Sequence, residues 1–388
     1  MQVRRSLIST GLTVAVTAAV TATLTTTVGA SATPAALPAA AASTTGAAAP
    51  AGHVPDPTTA TLRQLAQHTK LRIGTAVNTD ALANDATYRR MVAEQFSTVT
   101  PENVMKWEVV EPQRGQYDFS AADQLVRFAR AHGQKVRGHT LVWHNQLPTW
   151  LTSGTWTPAQ LRAILKQHIF TEMRHFRGKI WAWDVVNEAV DDNANLRDDF
   201  WLRNLGPGYI ADAFRWAHQA DPKAILFYND YNIEGINAKS TAVYDLVKRL
   251  RAQGVPIQGV GAQGHLDTQY PFPNDMLQNL RRFGAIGVDT AVTEADVRSV
   301  LPVDPAEVNA QAQGFSLMLQ SCLLVRSCIS YTLWGFTDKY NWVPGVFKGE
   351  GYATPFDENF NPKPAYDTMR RDLALAPSLP SRGVRGLH

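Results

Sequence analysis

From about residue 60 to residue 375, short apolar runs alternate with stretches whose apolar positions recur every three to four residues. The runs are Leu71–Val77, Phe96–Thr100, Lys135–Trp143, Ile180–Val186, Ala224–Tyr228, Gly259–Gln263, Asp289–Thr293 and Cys328–Trp334. Between them, Ala121–His132 carries Leu125, Val126, Phe128 and Ala129 at helical spacing, and Leu161–Phe176 and Ser240–Gln253 are similar. Such runs predict strands, and the periodic stretches predict amphipathic helices. Regular alternation of the two implies parallel βαβ units. Eight units over this length predict an α/β fold, a single (β/α)8 TIM barrel filling 58–375. A doubly wound open sheet is the alternative, but no glycine-rich phosphate turn follows the first run.

Polar side chains concentrate where the runs end. The second run leads into Thr100-Pro101-Glu102-Asn103-Val104-Met105-Lys106-Trp107, and the third contains Gly138-His139-Thr140-Leu141-Val142-Trp143-His144. The fourth ends in Asp184-Val185-Val186-Asn187-Glu188 and the fifth in Tyr228-Asn229-Asp230-Tyr231-Asn232. Gln263-Gly264-His265 follows the sixth, Thr293-Glu294-Ala295-Asp296 ends the seventh, and Trp334 ends the eighth with Trp342 beyond it. A parallel barrel places all strand C-termini on one face, where active sites form. A single His or Glu at a strand end is ordinarily a solvated loop residue. Seven such ends together predict one site.

The converging groups are carboxylates, amides, imidazoles, a lysine and indoles. No serine-centred nucleophile elbow is present, and no tight ligand pattern such as H-E-x-x-H predicts a metal. Carboxylate acid/base chemistry on a neutral substrate remains. Glycoside hydrolysis needs one protonated and one ionised carboxyl group. Glu188 and Glu294, after the fourth and seventh runs, fit those roles, with Asn187 and His265 as hydrogen-bonding partners. Sequence spacing leaves retention and inversion both open.

Composition is consistent with this. The 388 residues are 45% hydrophobic and 18% charged, ordinary values for a globular chain. Net charge is +3, and Arg4 and Arg5 lie in a segment expected to be removed. No basic block suggests nucleic acid; a neutral polysaccharide fits better than DNA or an anionic membrane. Ten Trp and eleven Tyr suit the flat faces of sugars, and equally suit a core.

Residues 1–32 read as a signal peptide: Arg4 and Arg5, an uncharged run from Leu7 to Val28, then Ala30-Ser31-Ala32 as a cleavage site. The arginine pair leaves general secretion and the twin-arginine route both open. A membrane anchor is the alternative, though the Thr/Ala-rich run is weakly hydrophobic for a spanning helix. Residues 33–57, mostly Ala, Thr and Pro, read as a disordered leader, and 376–388 as a flexible tail. The expected product is a secreted, extracellular monomer without a membrane attachment after cleavage. In an exported chain Cys322 and Cys328 are expected to pair as a disulfide; two buried thiols are the alternative.

The chain resembles glycoside hydrolase family 10, the endo-β-1,4-xylanases, from about Thr61 to Leu373. The resemblance rests on Thr-Pro-Glu-Asn-Val-Met-Lys-Trp (100–107), Gly-His-Thr-Leu-Val-Trp-His (138–144), Trp-Asp-Val-Val-Asn-Glu-Ala (183–189), Tyr-Asn-Asp-Tyr-Asn (228–232), Thr-Glu-Ala-Asp (293–296) and Trp-Gly-Phe-Thr-Asp-Lys-Tyr-Asn-Trp (334–342). It implies Glu188 as acid/base and Glu294 as nucleophile, hence retention through a covalent glycosyl-enzyme, with the carboxyl groups about 5–5.5 Å apart. It implies that His265 hydrogen-bonds the nucleophile, and that Glu102, Asn103, Lys106, His139, Trp143, Gln263, Trp334 and Trp342 line the non-reducing-side subsites. Gln146 and Trp342 resemble residues that crowd the place of a glucose hydroxymethyl group, which xylose lacks. Tyr231 and Asn232 match positions near the leaving group. The implied partners are xylan and xylo-oligosaccharides, with no cofactor and no metal. Two other readings are a non-catalytic sugar-binding barrel, disfavoured because both carboxylates are present, and a β-1,4-glucanase of mixed specificity. Ala295 departs from the leucine more usual after the nucleophile; a smaller neighbour is expected to loosen the packing there.

Overall fold

The structure, a computed structural model, describes residues 55–379 and 381–383. The signal segment, nearly all of the leader and the last five residues lie outside the described residues.

Eight parallel strands form the sheet: β1 (Arg72–Val77), β2 (Thr98–Pro101), β3 (Lys135–Val142), β4 (Ile180–Asn187), β5 (Ile225–Asp230), β6 (Gly259–Ala262), β7 (Asp289–Val300) and β8 (Cys328–Leu333). Each pairs with the next, and β8 returns to β1 with Arg72 opposite Ser330 and Gly74 opposite Thr332, closing the barrel. Every predicted run is a strand. Only β7 is much longer than expected. Past the barrel rim it gains two new partners, a short parallel strand at His265–Asp267 and an antiparallel one at Glu350–Gly351.

The predicted helices occur at Ser120–Ala131, Pro158–His175 and Ala238–Ala252. The second starts three residues before the expected Leu161. Thr157 caps it, Gln160 completes a reciprocal capping box, and Pro158 occupies the first turn. Proline is tolerated there because its missing N–H would have no intrahelical acceptor.

A large apolar core packs the helices onto the outside of the sheet. A second, small cluster of Ala182, Phe227, Ala291 and Ile329 comes from β4, β5, β7 and β8 and fills the barrel interior. Arg137 lies over the Phe227 ring, 4.2 Å from its centroid, and pairs with Asp184 through Nε, 3.0 Å from Oδ2, and through Nη2. Above this pair the interior becomes polar. Close packing needs glycine at two strand positions, Gly138 on the outer face of the sheet and Gly261 on the inner. A Cβ on Gly138 would lie 2.2 Å from the Trp183 ring, and one on Gly261 would lie 2.3 Å from Asn229 Oδ1.

Cys322 and Cys328 form a disulfide between the helix Pro305–Leu323 and the start of β8. The stretch after Ala376, expected to be flexible, is anchored at Arg382. Its guanidinium donates to the carbonyls of Thr69 (2.7 Å), Cys322 (3.1 Å), Leu323 (3.0 Å), Val325 (3.1 Å) and Cys328 (2.9 Å). Composition suggested a loose end because a single arginine has no periodicity to read.

Candidate active site

At the C-terminal mouth of the barrel lies a cavity of about 760 Å³. Glu188, Glu294, Asn187, His265, Glu102, Asn103, Lys106, His139, Trp143, Gln146, Tyr231, Asn232, Gln263, Trp334 and Trp342 all line it. Residues as far apart as 102 and 342 meet because parallel strands deliver their ends to one face.

Glu294, on β7, is buried and held from both sides. Its Oε1 accepts from Asn229 Nδ2 at 2.7 Å, and its Oε2 lies 3.2 Å from His265 Nε2. His139 Nδ1 lies 4.0 Å from Oε1 and 3.1 Å from Asp184 Oδ2. His265 Nδ1 in turn lies 3.0 Å from Asp296 Oδ2. Each imidazole therefore contacts Glu294 and one aspartate. Burial opposes a charge on His265, but Asp296 and Glu294 outweigh it and lift its pKa to about 10. Burial alone would raise the Glu294 carboxyl; the charge on His139 and the bond and charge of His265 overcome it and hold Glu294 below its ordinary value. This carboxyl is built to stay ionised.

Glu188 follows β4 with a left-handed backbone, φ 58°. Its Oε1 accepts from Gln263 Nε2 at 2.9 Å and from Asn187 Nδ2 at 3.2 Å. Its Oε2 lies 3.9 Å from His144 Nδ1. Burial drives the His144 pKa down to about 4 although Glu188 opposes this, so that imidazole is neutral near neutral pH. Two amides connect the carboxyl groups: Asn229 Nδ2 also donates to Asn187 Oδ1 at 2.8 Å, while Asn229 Oδ1 accepts from Thr293 Oγ1 at 2.7 Å. Gly261 leaves room for that asparagine.

On one side of the carboxyl pair, Lys106 Nζ donates to Asn103 Oδ1 at 2.9 Å and lies 5.1 Å from the Trp143 ring centroid. Burial lowers the lysine pKa against the pull of Glu294, Glu102 and Glu188; burial also raises Glu102, against the pull of Lys106. Trp334 presents its ring edge-on to His139 at 5.1 Å. Trp342 donates from Nε1 to Asp296 Oδ2 at 2.8 Å and packs 5.0 Å from His265, while Gln146 donates to Glu108 at 2.9 Å. On the other side, the Tyr231 phenol donates to Asp192 at 3.1 Å, and Lys239 Nζ lies 3.2 Å from the centre of its ring. A second cavity of about 600 Å³ shares Asn232, His265 and Arg298 with the first and reaches the exposed Tyr270. The two form one extended cleft.

Ala295 directly follows Glu294 on β7. It is buried, and its carbonyl accepts from the Trp334 N–H at 3.0 Å.

Sequence reasoning gave no role to Asn229, Asp184, Arg137, Asp296, His144 or Arg197. Asn229, Asp184 and Asp296 sit inside the quoted motifs, and Arg137 lies two residues before His139. Strand alternation alone would have pointed Arg137 inward with His139. Arg197 sits in an irregular loop, where no period applies.

The description "Glycosyl hydrolase family 10" belongs to the family model that matches residues 61–372. Endo-1,4-beta-xylanase B of Thermotoga neapolitana is 45% identical over 312 residues, covering 80% of this chain and 90% of that protein. Endo-1,4-beta-xylanase 1 of Humicola insolens is 43% identical over 323 residues, covering 82% and 75%. The crystal structure of native xylanase 10B from Thermotoga maritima is 44% identical with a TM-score of 0.79, over 81% of this chain and 98% of that one. Xylanase 10B from Thermotoga petrophila, solved with xylobiose, is 43% identical with a TM-score of 0.79, over 83% and 98%.

Proposed function

Because the chain belongs to glycosyl hydrolase family 10, we propose that its cleft performs endo-hydrolysis of β-1,4-xylosidic bonds by double displacement with retention. Endo-1,4-β-xylanase activity is the part that the relatives carry directly. The retaining chemistry and the residue roles are inferred as follows.

The single observation that carries the assignment is the unequal environment of the two carboxyl groups. Glu294 is flanked by His139 and His265, which favour its anion. Glu188 is surrounded by amide donors and by a histidine kept neutral. Glu294 therefore attacks the anomeric carbon, while Glu188 protonates the departing glycosidic oxygen. A glycosyl ester on Glu294 results. Glu188, now ionised, takes a proton from water as that water attacks the same carbon, and Glu294 leaves.

The glycone wall of Trp143, Trp334 and Trp342 offers flat apolar surfaces to xylose rings. The extended cleft suits the interior of a chain, and xylobiose occupies the related Thermotoga petrophila structure. We also infer export, from the positive, uncharged-run and small-residue pattern of residues 1–32.

Proton NMR of products released from xylan is the test. The β-anomer should appear first, with short xylo-oligosaccharides, and Glu294→Ala should abolish release. Initial α-anomer would refute retention, and wild-type turnover in Glu294→Ala would refute the nucleophile.

A further inference from the structure

Glu188 adopts a backbone conformation, φ 58°, that a residue with a Cβ adopts rarely. Such a conformation is strained and persists only where its surroundings over-determine it. Here the constraint comes from two directions. The Glu188 N–H donates to Asn229 O at 2.8 Å, and the Glu188 carbonyl accepts from Arg197 Nε at 2.7 Å.

We propose that Arg197 is the positioning residue of the acid/base step. It fixes the peptide of Glu188 and couples that geometry to Tyr231 on the leaving-group side. The inference rests on the acid/base reading of Glu188 given above.

Arg197 gathers the whole turn after β4. Besides the Glu188 carbonyl, it serves Ala189 O through its own backbone N–H at 2.8 Å, and Val190 O through Nη2 at 3.2 Å. The same Nη2 donates to the Tyr231 phenol oxygen at 3.0 Å. One planar guanidinium thus ties the carbonyls of Glu188 and Val190 to an aromatic side chain of the cleft, while the backbone N–H of the same residue holds the carbonyl between them. A lysine, with a single ammonium centre, has no fork to hold the carbonyl and the phenol in fixed directions at once. The Glu188 carboxyl hydrogen-bonds to Asn187 and Gln263 and not to Arg197, so Arg197 aims it through the backbone, and the guanidinium charge adds a longer-range pull that Arg197→Lys retains.

The consequence is specific to proton donation. If the Glu188 peptide relaxes, its carboxyl group no longer points at the departing oxygen, and a displacement of about 1 Å costs about 100-fold in rate. A sugar hydroxyl is a poor leaving group and needs that proton. A dinitrophenolate leaves without it, so its release is insensitive to acid aim. Mere loss of stability would slow both alike.

The test compares kcat/KM of wild type, Arg197→Ala, Arg197→Lys and Glu188→Ala on xylotetraose and on 2,4-dinitrophenyl xylobioside, with a thermal melt of each. Arg197→Ala should lose about 100-fold on xylotetraose, and at least ten times less on the dinitrophenyl substrate. Arg197→Lys should recover part of the loss. Should Arg197→Ala fail to fold, Arg197→Lys must still show the same leaving-group contrast. Equal losses on both substrates, or no loss on either, would overturn the proposal. Glu188→Ala keeps that outcome separate from failure of the underlying reading: without a leaving-group contrast in that variant, the acid/base assignment itself is wrong.

Discussion

His265 Nε2 lies 3.2 Å from Glu294 Oε2, and its other ring nitrogen lies 3.0 Å from Asp296 Oδ2. The imidazole is thus bracketed by two carboxylates, which is why its pKa stands at about 10 despite burial. Two effects follow with definite sign. The folded state binds this proton more tightly than the unfolded chain, whose ordinary histidine value is about 6.5. The resulting stabilisation is complete below about pH 6.5, declines as pH rises, and is gone by about pH 10. Melting temperature of the wild type should therefore fall across that window, and His265→Asn should lack that component of the slope.

The same substitution acts on catalysis in the opposite pH region. Glu294 is held below its ordinary value partly by the charge and hydrogen bond of His265. His265→Asn removes the charge, so the acidic limb of the kcat/KM profile should move to higher pH. An unmoved limb in a folded variant would show that His265 does not set the ionisation of Glu294.

Asn229 touches both halves of the machinery, donating to Glu294 at 2.7 Å and to Asn187 at 2.8 Å. Asn229→Ala should lower kcat by about 10- to 100-fold, as expected when a buried charged acceptor loses its donor. Asn229→Asp is the sharper probe. It puts a second carboxyl group against Glu294, raises the Glu294 pKa by repulsion, and should shift the acidic limb upward even where some activity survives. Paired pH–rate profiles of the two variants check this.

The barrel and its site face were legible because they depend on patterns the backbone imposes. Eight apolar runs became eight strands, and polar clusters at their ends met at one mouth. What escaped notice lacked such a pattern. Arg137 and Asp184 pair across two strands deep in the interior, where a reader expects apolar residues. Thr157 set a helix start through a capping box rather than through hydrophobic period. Arg197 and Arg382 act on backbone carbonyls brought close only by folding. The two carboxyl groups were found from sequence, but the amide link between them required coordinates.

Gln146 and Trp342 line the same cavity, and neither is free to swing. Gln146 is bonded to Glu108 at 2.9 Å and Trp342 to Asp296 at 2.8 Å. A fixed wall can exclude a hydroxymethyl group that xylose lacks. Trimming it in Trp342→Ala should narrow the preference for aryl xylobioside over aryl cellobioside by about 10- to 100-fold, the range available to one carbon in a pocket. Rates for both substrates with the wild type and Trp342→Ala check it. An unchanged ratio would place the discrimination elsewhere in the cleft.

Arg382 supplies the last prediction, at the opposite end of the barrel. Its guanidinium serves five carbonyls, three of them at Cys322, Leu323 and Val325, around the C-terminal end of the helix Pro305–Leu323. A cation there also meets the negative end of the helix dipole. Arg382→Ala removes one donor from each of those carbonyls, of which Cys322 and Val325 keep a backbone N–H partner, and should cost about 1–3 kcal/mol of stability. It should leave kcat on xylan intact, because Thr69 precedes β1 and Cys328 begins β8, both at the far rim from the cavity. The neighbouring disulfide closes a short loop, worth about 2 kcal/mol on chain entropy. Two of the arginine's acceptors are the carbonyls of the paired cysteines. The two effects should therefore couple: in a double-mutant cycle with Cys322→Ser/Cys328→Ser, the combined loss should be smaller than the sum of the separate ones. Calorimetric melts of the four proteins decide it. Strict additivity would mean that Arg382 holds the chain end without depending on the loop that the disulfide closes.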